Sequence, residues 1–147
     1  MFARKHIIIE CKGQHAFLNE NALEEILSSA ARVSGATVLS SHFHRFGPQM
    51  GITGVLILAE SHITVHTWPE HGYAAFDVFM CGSCDAEKAA EVIVSAASAE
   101  TIKTNVLSRG IPNSRSDSSV LAFSDAKQKL PQSTHLSDHP FKKQEPL

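Results

Sequence analysis

Between Thr37 and Met80 the chain holds strand-like runs joined by links of hairpin length, and no other feature constrains the fold as much. Thr37–Phe46 reads as a strand, Gly47-Pro48 as a turn, and Ile52–Leu58 with its continuation through Thr67 as the central strands. Pro69 to Gly72 turns the chain again before a further strand, Tyr73–Met80. His6–Cys11 and Thr101–Ser108 read as the first and last strands. Ala22, Leu23, Ile26, Leu27 and Ala30 recur at helical spacing, which predicts a helix over Asn19–Val33, with Asn21 and Glu24 as a capping box and Gly35 as a left-handed cap. Asp85 caps a second, alanine-rich helix running to about Ala99, whose small side chains suit close packing on a sheet. The order β-α-β-β-β-α-β predicts an α+β fold, an antiparallel sheet covered by two helices on one face. The other face needs cover too.

A chain of 147 residues fits one domain, and its surface-to-volume ratio favours burying further area by self-association. The formal net charge is −2 and the basic residues form no run, so the electrostatic footprint of a nucleic-acid binder is missing. The expected partners are small molecules or copies of the chain itself. Met1–Lys5 is basic, but the apolar stretch after it is only Ile7-Ile8-Ile9, too short for a signal-peptide core, and no run has membrane-spanning length. A cytoplasmic location is expected, and the odd set Cys11, Cys81 and Cys84 fits a reducing compartment. Past Arg109 the sequence is rich in Ser, Pro, Gln and Lys, with Val120–Phe123 as an apolar island, and reads as a low-complexity, mostly disordered tail over 109–147.

Several constellations bear on chemistry. His42 with His44, His62 with His66, and His71 invite a metal, but none has zinc-site spacing; hydrogen-bonded, partly buried histidines are the better reading and no metal is expected. Cys81-Gly-Ser-Cys84 lies between a strand and a helix, where a helix N-terminus lowers a thiol pKa and redox pairs occur. The antiparallel element order is not the usual setting of such pairs, so a thiol–disulfide protein using Cys81 and Cys84 stands as a rival reading of a different class. In "AESHITVHTWPE", residues 59–70, Glu60, Ser61 and His62 interrupt an apolar strand before alternation resumes through Ile63, Thr64, Val65 and His66. A turn pressing Ser61 Oγ against the Glu60 carbonyl permits an N-to-O acyl shift, helped by backbone strain. A base that removes the Ser61 Cα proton then eliminates the carboxylate, cuts the chain and leaves dehydroalanine, which hydrolyses to ammonia and a pyruvoyl group. His66, close in sequence, is a plausible base. The ketone so formed makes a Schiff base and accepts electrons as pyridoxal phosphate does, so the protein would generate its own cofactor.

The block from His42 to Gly82, "HFHRFGPQMGITGVLILAESHITVHTWPEHGYAAFDVFMCG", closely resembles prokaryotic S-adenosylmethionine decarboxylase proenzymes, and a looser similarity runs from about His6 to Ser108. The resemblance implies self-cleavage between Glu60 and Ser61 into 1–60 and 61–147, with residues 1–108 as the decarboxylase-like domain. It implies a pyruvoyl group from Ser61 that takes the substrate as a Schiff base, His66 as proton acceptor in processing, Thr53 assisting, and Cys81 as proton donor in decarboxylation. Phe46 and Trp68 would stack on adenine and Glu70 would bond the ribose, whereas Phe43, Phe76 and Phe79 read as core filling. The implied reaction turns S-adenosylmethionine into its decarboxylated form, the aminopropyl donor for spermidine synthesis. The implied assembly is a homodimer of cleaved protomers forming an α/β sandwich, which would cover the bare sheet face. A pyruvoyl-dependent ornithine or arginine decarboxylase on the same scaffold is the nearest alternative. Cys84 and the tail beyond Arg109 have no counterpart in the family pattern.

Overall fold

Alternation of apolar and polar residues dictates a sheet with one buried face. In the computed structural model, which describes residues 4–110, that sheet is six-stranded. Its strands are β1 (Arg4–Gly13), β2 (Val38–Arg45), β3 (Ile52–Leu58), β4 (Ser61–Trp68), β5 (Tyr73–Met80) and β6 (Ala99–Arg109), in the spatial order β2-β3-β4-β5-β1-β6. Every neighbouring pair is antiparallel. The predicted element order has one strand fewer, because the stretch 52–67 divides at a two-residue turn, Ala59-Glu60, with Leu58 paired to Ser61 across it. The reading of residues 109–147 as a tail lies, beyond Gly110, outside the described residues.

Helices α1 (Glu20–Ser34) and α2 (Ala86–Ser95) lie on one face of the sheet. They pack Leu23, Leu27, Ala30, Ala31, Ala89 and Ile93 onto Ile7, Ile9, Leu56, Ile63, Val65, Phe76 and Val78, all buried. Burial of the Leu, Ile, Val and Phe side chains among them stabilises the fold by about 1.5–3 kcal/mol each. Asn19, not Asn21, caps α1: its side chain accepts the Ala22 N–H at 2.9 Å, and Glu24 instead accepts a hydrogen bond from Ser41 on β2. Either asparagine has the chemistry of a cap, and the register that turns Leu23 and Leu27 toward the sheet selects the earlier one. Gly35 ends α1 at φ 83°, the left-handed conformation expected of it. The Arg45 guanidinium clasps the Glu20 carboxylate at 2.7 and 2.6 Å, tying the start of α1 to the end of β2 and holding that carboxyl down to about 2.

Asp85 caps α2 by accepting the Lys88 N–H at 3.2 Å. The helix stops at Ser95, earlier than the composition predicts. There the Ser95 hydroxyl donates back to the Glu91 and Val92 carbonyls, a habit that weakens helices, and from Ala99 the chain is recruited as an edge strand along β1. Short 3₁₀ turns at Gln14–Phe17 and Pro69–His71 complete the described chain, and the buried His15 in the first donates from Nε2 to the Ile93 carbonyl of α2 at 2.8 Å. No helix among the described residues is long and apolar enough to cross a membrane.

Among the described residues, the opposite sheet face has no helix over it. It presents His6 and Ile8 of β1, Thr53, Val55 and Ile57 of β3, His62, Thr64, His66 and Trp68 of β4, and Tyr73, Asp77 and Phe79 of β5. Phe76 is fully buried and Phe43 packs at the margin of the core, as expected, but Phe79 is not core filling. The pleat that turns Phe76 and Val78 inward turns Phe79 outward, where its ring lies 5.1 Å from His6 and 4.7 Å beneath the Arg109 guanidinium.

Gly51 lies where β2 folds back into β3, and a Cβ there would stand 2.0 Å from the Thr67 carbonyl oxygen. Backbone cannot yield as a side chain does. Gly51→Ala is therefore expected to destabilise the chain by about 1–3 kcal/mol, read as a lowered urea midpoint at unchanged m; an unchanged midpoint would contradict this packing.

Candidate active site

The residues singled out in the sequence gather at the two ends of β4. At its start, the tight Ala59-Glu60 turn leaves Ser61 at φ 144°, a conformation that residues with a side chain rarely adopt. Strain of this kind costs on the order of 1–3 kcal/mol and persists only where neighbours over-determine it. Here they do: Ser61 is paired with Leu58 on one side and Met80 on the other. The Cys81 N–H donates to the Glu60 carbonyl at 3.0 Å, and the Thr37 N–H donates to the Glu60 carboxylate at 2.9 Å. The peptide between Glu60 and Ser61 is thus held on both flanks. Ser61 Oγ lies 3.2 Å from Nδ1 of His62, the next residue.

Cys81 follows β5 directly, and the chain turns at Gly82-Ser83 to reach Cys84 before α2. Both thiols are free, partly exposed, and line a cleft of about 350 Å³ with Arg4, Lys5, Ser83 and Asp85. Burial, reinforced by the Glu60 carboxylate and by Cys81, pushes the Cys84 thiol up. A raised pKa keeps Cys84 protonated at neutral pH, which is the reverse of an activated nucleophile.

At the far end of β4, Thr53 of β3 stands opposite His66, with Thr53 Oγ1 2.5 Å from His66 Nδ1. The His66 ring lies 3.9 Å from Trp68 and 5.8 Å from Phe46, whose own ring meets His44 edge-on at 4.9 Å. Phe46 is 52% exposed, so an aromatic surface is left bare beside the imidazole. Glu70, in the turn after β4, lines a second cleft of about 430 Å³ with Phe17, Arg45, Met50 and Thr67.

The structure therefore brings Glu60, Ser61 and Cys81 together at one end, and Thr53, His66, Phe46 and Trp68 together at the other. It does not bring the two groups together within one chain. Ser61 and His66 are separated by five residues of extended strand, about 17 Å at roughly 3.3 Å per residue. Proximity in sequence suggested contact; a β-strand is the one element that turns a short sequence interval into a long distance. What sequence reasoning missed are the His62 imidazole beside Ser61 Oγ, signalled only by adjacency, and the contact of the Cys81 backbone amide with the Glu60 carbonyl, which nothing in the sequence signalled. Of the other histidines, His42 and His44 lie on β2, and among the described residues no group of three His, Cys, Asp or Glu side chains gathers as a cation site.

Comparison with known proteins follows the same lines. Residues 5–110 match the family described as S-adenosylmethionine decarboxylase. The S-adenosylmethionine decarboxylase proenzyme of Pyrococcus furiosus is 44% identical over 109 residues, spanning 72% of this chain and 78% of that protein. The proenzyme of Thermodesulfovibrio yellowstonii is 40% identical over 115 residues, 76% of this chain and 84% of its own. That of Prochlorococcus marinus is 54% identical over 80 residues, 53% and 63% of the two chains. Among solved structures, the crystal structure of the adenosylmethionine decarboxylase from Aquifex aeolicus superposes with a TM-score of 0.67 at 36% identity, covering 79% of this chain and 98% of that one. A family match that runs over residues 5–110, the strained Ser61 hairpin included, together with the likeness in fold, shows that this chain belongs to the S-adenosylmethionine decarboxylase family.

Proposed function

We propose that this chain is a self-processing, pyruvoyl-dependent decarboxylase acting on S-adenosylmethionine, made as a proenzyme and cleaved between Glu60 and Ser61. The observation that carries the reading is Ser61 itself, a serine held at φ 144° directly after a carbonyl that a backbone N–H already polarises. Such a hydroxyl is suited to attack its own preceding peptide, and relief of strain favours the resulting ester. The names of the relatives support S-adenosylmethionine over ornithine or arginine as substrate.

The residues at the hairpin fit the precursor of a pyruvoyl group. Once formed, that group would supply an electrophilic ketone, the electron sink that decarboxylation of an amino acid needs. Around it the chain's own residues have separable tasks. Cys81, whose amide borders the scissile peptide, returns a proton to the substrate α-carbon. Thr53 holds His66 at 2.5 Å, fixing the ring as the base for the Ser61 Cα proton. Phe46 and Trp68 offer faces to the adenine and to the sulfonium charge, and Glu70 accepts from the ribose hydroxyls.

A distance of about 17 Å bars His66 from Ser61 of its own chain. The working unit we propose is therefore a homodimer in which the bare sheet faces stack, so that the His66 end of one copy meets the Ser61 end of the other. Ile57, Phe46 and Leu107 on that face are 42%, 52% and 45% exposed, apolar surface of the kind that marks an interface.

Denaturing mass spectrometry of the full chain should give two fragments, one ending at residue 60 and one beginning at residue 61, and Ser61→Ala should give one whole, inactive chain. Cleavage in Ser61→Ala would refute the mechanism. Co-expressing Ser61→Ala with His66→Ala should restore cleavage of the His66→Ala chain, because the other copy supplies its imidazole; no restoration would favour action within one chain. Cys81→Ser should lower carbon dioxide release by about 10²-fold or more, whereas Cys84→Ser should keep most of it. Equal losses at the two thiols would count against Cys81 as the proton donor.

A further inference from the structure

We propose that processing uses two histidines in succession, with His62 as the base for the acyl shift and His66 reserved for the elimination that follows. The inference rests on the self-processing reading above and extends it to a residue with no role there. His62 Nδ1 is 3.2 Å from Ser61 Oγ, within hydrogen-bond reach of the atom that must lose a proton for the shift to begin. The imidazole is steadied where it stands: it pairs across the sheet with Phe79, whose ring is 5.9 Å away, and meets His6 edge-on at 6.5 Å. His66 has no such access within the chain, so before a second copy docks, His62 is the imidazole beside the hydroxyl.

The step balances without an outside reagent. The Ser61 hydroxyl proton passes to His62 Nδ1 as Oγ forms a bond to the Glu60 carbonyl carbon. Negative charge then collects on the Glu60 oxygen, toward which the Cys81 N–H already points at 3.0 Å. Collapse breaks the bond between the Glu60 carbon and the Ser61 nitrogen, and that nitrogen takes the proton back from Nδ1. The products are an ester and a free amine, with no net proton gained or lost. Two bases with different addresses follow from this: one acts within the chain and forms the ester, the other arrives from the partner copy and eliminates it.

An ester is cut by hydroxylamine under denaturing conditions and an amide is not, so the two steps are separable by mass. Full-length His66→Ala should accumulate a chain of precursor mass that hydroxylamine splits at Glu60. His62→Gln, which keeps a polar side chain of similar reach but no base, should stay whole with or without hydroxylamine and process about 10²-fold or more slowly than wild type. The double variant should behave as His62→Gln does, since the shift precedes the elimination. Added imidazole should speed cleavage of His62→Ala, which a merely structural role would not predict. Processing of His62→Gln at the wild-type rate, or build-up of hydroxylamine-sensitive ester in it, would overturn the assignment of His62 while leaving self-processing intact. A wild-type chain that never cleaves would instead overturn the reading on which the assignment rests.

Discussion

The hydrogen bond from the Cys81 amide to the Glu60 carbonyl joins two strand ends at the peptide proposed as the point of cleavage. It forms because β4 and β5 pair from Trp68 and Tyr73 up to Ser61 and Met80, which leaves Cys81 beside Glu60 with no freedom to drift. On the other flank the two-residue turn pins Ser61 to Leu58. A serine would not hold φ 144° in a loop, since relaxation costs nothing there; between two paired strands whose inward residues Ile63, Val65 and Met80 are buried, relaxation would cost core packing. Strain at Ser61 is thus maintained by hydrophobic burial some residues away.

The pleat divides labour between the faces. Inward residues of β3, β4 and β5 such as Leu56, Ile63, Val65, Phe76 and Val78 are buried in the core beneath the helices, while outward ones include His62, Thr64, His66, Trp68 and Tyr73. Neither set is free to change sides, because a one-residue slip would exchange core and surface along the whole strand. The same rigidity keeps His66 from Ser61. Parts at opposite ends of one stiff strand suit the proposed pairing of two copies about a twofold axis, where each end of one would meet the complementary end of the other. In the proposed dimer the bare face and the divided site are one fact, seen from packing and from chemistry.

The histidines show how little residue type alone decides. His15 is wholly buried and serves packing through the Ile93 carbonyl, whereas His6 is paired with Asp77 at 2.8 Å on the bare face. His62 lies beside the Ser61 hydroxyl, and His66 is held by Thr53 against an aromatic surface. Four imidazoles thus have four environments, set by which strand carries each and at what register.

Local rules sufficed to read most of this fold. Period-two alternation gave the strands, Gly35 and Asp85 gave helix ends, and the polar break at Glu60-Ser61 marked the turn after which Ser61 takes a positive φ, since each depends on residues within a few positions. The same rules misjudged Asn21 as the cap of α1, the length of α2 and the side on which Phe79 lies, all of which are settled by what the element packs against. The pairing of β6 along β1, the seat of Cys81 against Glu60, and the separation of His66 from Ser61 lay further from the sequence still. They are distances between residues that the chain brings together or keeps apart only once the whole sheet is in register. Sequence determined which groups this protein possesses; tertiary structure decided which of them meet, because contact in a sheet follows strand pairing and not order along the chain.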